Sequence, residues 1–240
     1  MVSQLAIRFV LCQTTHPGNI GAAARAMQTM NLRELFLVNP RFFPHEQAVA
    51  MASGALEVLN SIQVVPSLSV ALQGSQLVFG VTARVRELSH PMMSLRESVQ
   101  WLHDQTGVET VAFVFGTEMS GLSNAELDSC HRLCHIPAAP DFSSLNLAAA
   151  VQVVAYELFQ MNRGRTVMNP EFKLATHEEM EYFYEHLEEV LVTSRFMDPR
   201  HPGRLMTRLR RLFGRALVEK EEVSILRGML RALTSMEPKE

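Results

Sequence analysis

Short apolar runs alternate with helical stretches along the first 160 residues. Runs of large and β-branched apolar residues predict six strands, at 5–12, 34–39, 61–65, 76–81, 110–115 and 131–136. Helices are predicted between them, near 19–30, 46–59, 67–73, 94–104, 123–129 and 145–161. Strands that are apolar throughout and alternate with helices are typical of a mostly parallel sheet with helices on both faces. This part of the chain is therefore predicted to be an α/β domain.

The pattern changes after residue 160. A polar stretch with glycine and proline predicts a linker. Beyond it, Thr176 and Glu179 have the spacing of a capping box, and apolar residues then recur at helical intervals. The chain is thus predicted to consist of a domain at 1–160, a linker at 161–175 and a small all-helical unit at 176–240.

Composition restricts the class of protein. With 47% hydrophobic and 20% charged residues, the chain of 240 residues has the composition of a globular protein. It has neither a run of about 18 apolar residues nor a basic N-terminal leader, so a membrane span and secretion are not expected. The three cysteines, Cys12, Cys130 and Cys134, form no disulfide framework, as is typical of a reducing compartment. These observations together predict a cytoplasmic protein.

Charge is distributed unevenly although the formal net charge is only −3. The first 160 residues carry 8 arginines, no lysine and 12 acidic residues, whereas segment 195–215 has seven arginines against Asp198. One interpretation of this basic segment is a phosphate-binding face, because guanidinium groups match phosphate oxygens. The other is a solvated helix face that pairs with the acidic helix before it.

Three loops that follow predicted strands share polar and small residues. The first is TTHPGNIGAAARAM at 14–27, with Asn19 and Arg25. The second is FVFGTEMSGLSNAEL, with Gly116 and Glu118, and the third is HIPAAPDFSSLNLAAAVQ, with the segment 143–146. Ligands of parallel sheets bind at the carboxyl ends of the strands, so these loops are expected to form one site.

As an ordered set, these loops resemble the three signature motifs of the SPOUT superfamily of RNA methyltransferases, in the branch that methylates ribose 2'-hydroxyls. The whole chain, including ARVRELSHP at 83–91, is similar to the bacterial tRNA cytidine/uridine 2'-O-methyltransferases that act at position 32 of the anticodon loop. This resemblance implies S-adenosyl-L-methionine as cofactor and tRNA as substrate. It also implies a trefoil knot in the C-terminal half of the domain and a homodimer with the active site at the subunit interface.

The resemblance implies a cofactor slot made of loop residues. Its lining would be Val81, Thr82, Ala83, Gly116, Ile136, Ser143, Ser144 and Leu145. Glycine allows a close approach to the backbone, and the serines offer small donors and acceptors. Taken separately, Ser143, Ser144 and Asn146 are better explained as a helix N-cap cluster and Ile136 as strand core, and capping is compatible with a role in the slot.

Four residues would form the catalytic machinery by resemblance, namely Arg25, Asn19, Glu118 and Asn146. In the family the arginine activates the ribose 2'-hydroxyl, while the other three position the site. A guanidinium is a poor general base, so for Arg25 we favour binding of the substrate phosphate and stabilisation of the developing alkoxide. The alternative is an exposed helix arginine without a catalytic role.

Further arginines are candidates for RNA contacts. Arg84 and Arg86 follow the fourth predicted strand and are either phosphate contacts or ordinary loop arginines. Arg204, Arg208 and Arg211 lie on the basic helix that we expect to hold the tRNA stem.

The sequence CHRLCH at 130–135 superficially resembles a metal site. No second ligand pair follows at the usual distance, and neighbouring residues of a strand point to opposite faces. No metal is therefore expected. Two alternative functions remain open, a 2'-O-methyltransferase of ribosomal RNA and a non-catalytic knotted RNA-binding module.

Overall fold

The computed structural model describes residues 5–83, 92–105, 107–162 and 173–235, and its centre is a seven-stranded sheet. The strands are β1 (Ala6–Cys12), β2 (Glu34–Val38), β3 (Gln63–Val65), β4 (Leu77–Val81), β5 (Met92–Ser94), β6 (Thr110–Phe115) and β7 (Arg132–His135). Their order is β3-β2-β1-β6-β4-β7-β5, and every neighbouring pair is parallel. The predicted α/β class is confirmed.

Ten helices are described. They are α1 (Pro17–Thr29), α2 (Glu46–Ala52), α3 (Leu56–Asn60), α4 (Leu68–Ala71), α5 (Leu95–Asp104), α6 (Asn124–Asp128), α7 (Leu147–Asn162), α8 (His177–Thr193), α9 (Leu205–Ala216) and α10 (Lys220–Ser235). The single helix predicted at 46–59 is wrong, because Ser53 and Gly54 take positive φ angles of 46° and 93° and separate α2 from α3. No helix within the described ranges has the length and apolar character needed to cross a bilayer.

Helices cover both faces of the sheet, as the sequence predicts. Alternate residues of β1 point to opposite sides: Phe9 packs in one cluster with α1, α2, α3, α5 and α7, and Val10 packs in another with α4 and α6. On the first side, the rings of Phe79 and Phe113 stack with centroids 5.0 Å apart. Because both faces are buried, the strands have the continuous apolar character that made them recognisable.

The order of the strands decides where loops meet. β4 lies between β6 and β7, so the carboxyl ends of these three strands are adjacent. The segments after Val81, Phe115 and His135 therefore come together at one edge of the sheet. The resemblance implies a knot in the C-terminal half of this domain, and residues 84–91, which follow β4, lie outside the described residues. The knot stays a prediction.

The C-terminal helices α8, α9 and α10 have an apolar cluster of their own, which includes Phe183 and Val223. The predicted capping box is present: Glu179 N donates to Thr176 Oγ1, and Thr176 N donates to a Glu179 carboxylate oxygen. This helical unit docks beside the start of β4, where His177 N donates to Ser75 O at 2.8 Å. It therefore packs at the amino ends of the strands, opposite the edge where the motif loops meet.

Candidate functional site

A cleft with an empty volume of about 750 Å³ lies at the carboxyl ends of β4 and β6, in front of α7. Its lining is Val81, Thr82, Ala83, Phe115, Gly116, Thr117, Glu118, Met119, Gly121, Ile136, Ser143, Ser144, Leu145, Leu147 and Ala150. All eight residues assigned by resemblance to a cofactor slot are among them. The structure thus brings the predicted residues together in one cleft.

Gly116 allows the loop after β6 to fold back on itself. A Cβ atom at this position would lie 2.0 Å from the carbonyl carbon of Gly121 and 2.2 Å from Leu122 N, so a side chain has no space. The fold-back is closed by a hydrogen bond from Gly121 N to Thr117 O at 2.9 Å, and Gly121 has a φ of 68°. This wall of the cleft is consequently formed largely by backbone.

Glu118 binds the loop between β1 and α1. One carboxylate oxygen accepts from Asn19 Nδ2 at 3.0 Å and from His16 N at 3.2 Å. The other accepts from Thr15 N at 3.1 Å and from Thr15 Oγ1 at 2.9 Å. Partial burial would raise the pKa of Glu118, but the hydrogen bonds from Asn19 and from Thr15 prevail and lower it. The side chain is therefore a fixed negative charge in the cleft wall.

Asn146 connects the third motif to the first. Its Nδ2 donates to Asn19 Oδ1 at 3.1 Å, while its Oδ1 accepts from Ala148 N at 2.9 Å. The second contact is that of a helix N-cap on α7, so the capping interpretation of Asn146 holds together with the site interpretation. Glu118, Asn19 and Asn146 form one hydrogen-bonded chain across the three motifs.

Arg25 does not lie in the cleft of its own chain. Its side chain is exposed, and the described residues provide it with no hydrogen-bond or ion-pair partner. It lies six residues after Asn19 on α1, which corresponds to roughly 9 Å along the helix axis. Of the described residues that line the cleft, Glu118 is the one with a charge. The described part of the cleft lining therefore holds no basic group.

α1 itself is held in place by a very close contact. A Cβ atom at Gly21 would lie 2.0 Å from the carbonyl oxygen of Ala48, so the helix packs directly on the backbone of α2. This packing, together with the contacts of α1 with α7, fixes the direction in which Asn19 and Arg25 point. The small residues of the first motif thus serve helix packing.

The predicted RNA contacts have different environments. Arg84 and Arg86 lie outside the described residues. Arg204 and Arg208 are exposed around α9, and Arg211 is half-buried beside α6 and α8. Pairing of the basic segment with the acidic helix before it is seen at Arg210. This guanidinium binds both carboxylate oxygens of Glu181 on α8, at 2.5 and 2.9 Å.

The CHRLCH segment is engaged in the sheet. Cys130 and Cys134 are buried, and burial raises the pKa of the Cys134 thiol to about 12. His131 Nδ1 accepts from Val78 N at 2.9 Å, and His135 Nδ1 lies 3.0 Å from Met93 O. Over the described part of the chain, no group of three or more histidine, cysteine or acidic residues has metal-binding geometry.

Sequence reasoning missed several cleft residues. Phe115, Thr117, Met119, Gly121, Leu147 and Ala150 also line it. A rule that takes each residue beside the end of a strand would have found Phe115 and Thr117. The backbone donors of Thr15 and His16 have no signal in residue type, because any residue but proline supplies an N–H group.

Comparisons with known proteins identify the family of the chain. The model of the SpoU rRNA Methylase family matches residues 6–156, and the model of the C-terminal domain of the tRNA methyltransferase TrmJ matches residues 178–240. The tRNA (cytidine/uridine/adenosine-2'-O-)-methyltransferase TrmJ of Pseudomonas aeruginosa is 46% identical over 236 residues, covering 93% of this chain and 92% of that relative. The tRNA (cytidine/uridine-2'-O-)-methyltransferase TrmJ of Klebsiella pneumoniae is 46% identical over 233 residues, covering 95% and 96%.

A solved structure extends the similarity to three dimensions. The crystal structure of TrmJ from Z. mobilis has a TM-score of 0.84 and 33% identity, and the match covers 95% of this chain and 99% of that one. The match therefore covers both the sheet domain and the C-terminal helices. The chain belongs to the SpoU methylase family and, over more than nine-tenths of its length, is related to the TrmJ methyltransferases.

Proposed function

We propose that the protein transfers a methyl group from S-adenosyl-L-methionine to the ribose 2'-hydroxyl of cytidine or uridine in tRNA, at position 32 of the anticodon loop. The observation that carries this proposal is the cleft whose walls are joined by the chain from Glu118 through Asn19 to Asn146. The printed activity of the TrmJ relatives supports the reaction and the substrate class. Position 32 comes from the resemblance of the motifs.

The cleft fits the proposed cofactor. Backbone around Gly116, the apolar side chains of Val81 and Ile136, and the hydroxyls of Ser143 and Ser144 form a mixed lining suited to a nucleoside. The carboxylate of Glu118 favours a cationic ligand, and S-adenosyl-L-methionine supplies an electrophilic methyl group on a positively charged sulfur. Leu145, Thr82 and Ala83 complete the slot. We assign these residues to cofactor binding.

Arg25 provides the missing basic group if the protein is a homodimer. In this arrangement, α1 of one subunit faces the cleft of the other, and Arg25 binds the phosphate next to the target ribose. Its charge then stabilises the negative charge that develops on the 2'-oxygen during attack. Arg25 is exposed, has no partner among the described residues and is absent from the cleft lining of its own chain, and these observations support the arrangement.

The helical unit is assigned to tRNA binding. Arg204 and Arg208 are exposed, and a phosphate backbone is the polyanion that such arginines bind. This unit lies at the amino ends of the strands, and strands of five residues separate it from the cleft by roughly 15 Å. The helical unit would therefore bind the stem of the tRNA, while the anticodon loop reaches the cleft with the reacting ribose. A cytoplasmic location follows from this substrate.

The reaction is tested by methyl transfer from labelled S-adenosyl-L-methionine to unmodified tRNA, with the modified nucleoside mapped by mass spectrometry. We expect a 2'-O-methylated pyrimidine in the anticodon loop. Arg25→Ala should abolish it, while Arg33→Ala, an exposed arginine paired with Glu57, should leave the rate unchanged. Ribosomal RNA is assayed in parallel, and methylation of ribosomal RNA alone would replace the proposed substrate. Cofactor binding without any transfer would contradict the enzyme proposal.

The shared site is tested by complementation between subunits. Ser144→Trp fills the cleft at an exposed position, so this variant and Arg25→Ala should each be inactive. If Arg25 acts across subunits, the mixed dimer contains one open cleft facing one intact Arg25, and activity should return on co-expression. If Arg25 acts within its own subunit, the mixture stays inactive.

A further inference from the structure

A large aromatic side chain stands unpacked at the mouth of the cleft. Phe142 is 81% exposed and directly precedes Ser143, Ser144 and Leu145 of the cleft wall. A phenylalanine ring in water forgoes the free energy of burial, so such exposure next to a binding site indicates a partner that covers it. Neither the catalytic chain nor the cofactor slot described above uses this ring.

The backbone that carries Phe142 is held firmly. Phe142 N donates to Ala139 O at 3.0 Å, which closes a tight turn before the cleft wall. Four residues later, Asn146 is fixed by its bonds to Asn19 and to the start of α7. The position of the ring is thus constrained from both sides, and binding a ligand on it costs little additional ordering.

The surroundings of Phe142 combine polar and apolar groups. Its chain neighbours Asp141, Ser143 and Ser144 are exposed and polar, whereas Leu145 and Met119 of the cleft lining are exposed apolar side chains. An exposed aromatic ring beside hydroxyl groups at the mouth of a cleft is an arrangement with which proteins stack the bases of single-stranded RNA.

We propose that Phe142 binds the base of the target pyrimidine by stacking. This inference rests on the proposed function, because the base adjoins the ribose whose 2'-hydroxyl is methylated. When an anticodon-loop nucleotide enters the cleft, its base leaves the stack of the loop and requires a new apolar contact. Stacking is tolerant of base identity since each base has a π-face, so Phe142 would serve cytidine and uridine equally well.

The test compares substitutions of Phe142 in steady-state methylation of tRNA. Phe142→Ala should lower kcat/KM for tRNA about 5- to 150-fold, the range that corresponds to the loss of one stacked base. Phe142→Tyr and Phe142→Trp should remain within a few-fold of wild type, and Phe142→Leu should resemble the alanine variant. Tyr156→Ala removes another exposed ring, 47% accessible, from α7 outside the cleft lining and serves as the control. It should behave as wild type.

Two further measurements separate stacking from other roles. Calorimetric binding of S-adenosyl-L-methionine and the mass in solution by light scattering should be the same for wild type and Phe142→Ala. A lower mass in solution would overturn the inference, since Phe142 would then be a subunit contact. Weaker binding of the cofactor would also overturn it, since Phe142 would then be part of the cofactor slot. Full activity of Phe142→Ala or Phe142→Leu would overturn it as well. Inactivity of the wild-type protein on tRNA would instead refute the proposed function itself.

Discussion

Replacing Glu118 by glutamine should weaken both the fold and the reaction. The carboxylate accepts hydrogen bonds from four donors, which are Asn19 Nδ2, His16 N, Thr15 N and Thr15 Oγ1. A glutamine keeps one acceptor oxygen, so the Asn19 and His16 donors remain paired. The Thr15 hydroxyl can turn and accept from the new amide, but Thr15 N then faces an N–H₂ group and keeps only its longer contact, 3.3 Å, with the remaining oxygen. One bond to a charged acceptor is lost and the others become neutral.

The structure sets the size of the effect. A hydrogen bond to a charged group contributes roughly 1.5–3 kcal/mol, and the partial exposure of Glu118 lets water replace part of it. We therefore expect a decrease of about 1.5 kcal/mol in the free energy of unfolding. For a chain of this length this corresponds to a Tm lower by roughly 3–6 °C. Because the three motifs lose their common link, kcat/KM for tRNA should fall at least tenfold.

The measurement is thermal unfolding combined with tRNA methylation, with Glu126→Gln as the matched control. Glu126 also accepts backbone hydrogen bonds from its own element, at Ser123 N, but it caps α6 and does not line the cleft. The Glu126→Gln variant should have a lower Tm and an unchanged kcat/KM for tRNA. A Glu118→Gln variant with a Tm within 1 °C of wild type and activity within twofold would refute the idea that this network organises the site.

Two other predictions concern the helical unit. Arg208→Ala combined with Arg211→Ala should weaken the binding of all tRNAs to a similar extent and reduce the slope of log Kd against log salt concentration. Arg227→Ala on α10 should change neither quantity. An unchanged slope for the double variant would exclude α9 as the tRNA-binding helix. His177 is buried where α8 meets the sheet, and this burial lowers its pKa below 6.5, so the folded state disfavours the proton that the unfolded chain accepts. Stability should therefore decline as the pH falls below about 6.5. In urea unfolding between pH 5 and 7.5, His177→Gln should flatten this decline, and parallel curves for the two proteins would contradict the assignment.

The fold was predictable from the sequence wherever burial leaves a continuous apolar signal. The six predicted strands lie within two residues of their predicted ends. Five of them are largely buried, and the sixth, β3, has three residues of which two are exposed. β5 was missed, since its apolar run consists of Met92 and Met93 alone and the strand exists through its pairing with β7. The order of the strands was equally hidden, because the pairing of β1 with β6 joins segments that no local pattern relates.

The candidate site was predictable to the level of residues but not of contacts. Asn19, Glu118 and Asn146 stood out through motif resemblance and are joined by hydrogen bonds, and the same motifs located the cleft lining. The catalytic role of Arg25 stays a prediction. The bonds that Glu118 receives from the Thr15 backbone depend on tertiary distances of about 3 Å. Likewise, Arg208 and Arg210 are identical in type and near in sequence, yet only packing on α8 pairs Arg210 with Glu181 and leaves Arg208 exposed.

The sheet order also determines when the protein can fold during its synthesis. One edge of β1 pairs with β2, the next strand in the sequence. The other edge pairs with β6, where Thr110 is the partner of Ala6, and this pairing forms only after β6 has been synthesised. The intervening chain of roughly 100 residues takes the ribosome roughly 5–20 s to make at ordinary rates of elongation. During this interval, the apolar edge of β1 is open to any other strand. Translation speed between β2 and β6 should therefore influence the yield of folded protein more than translation speed after β7.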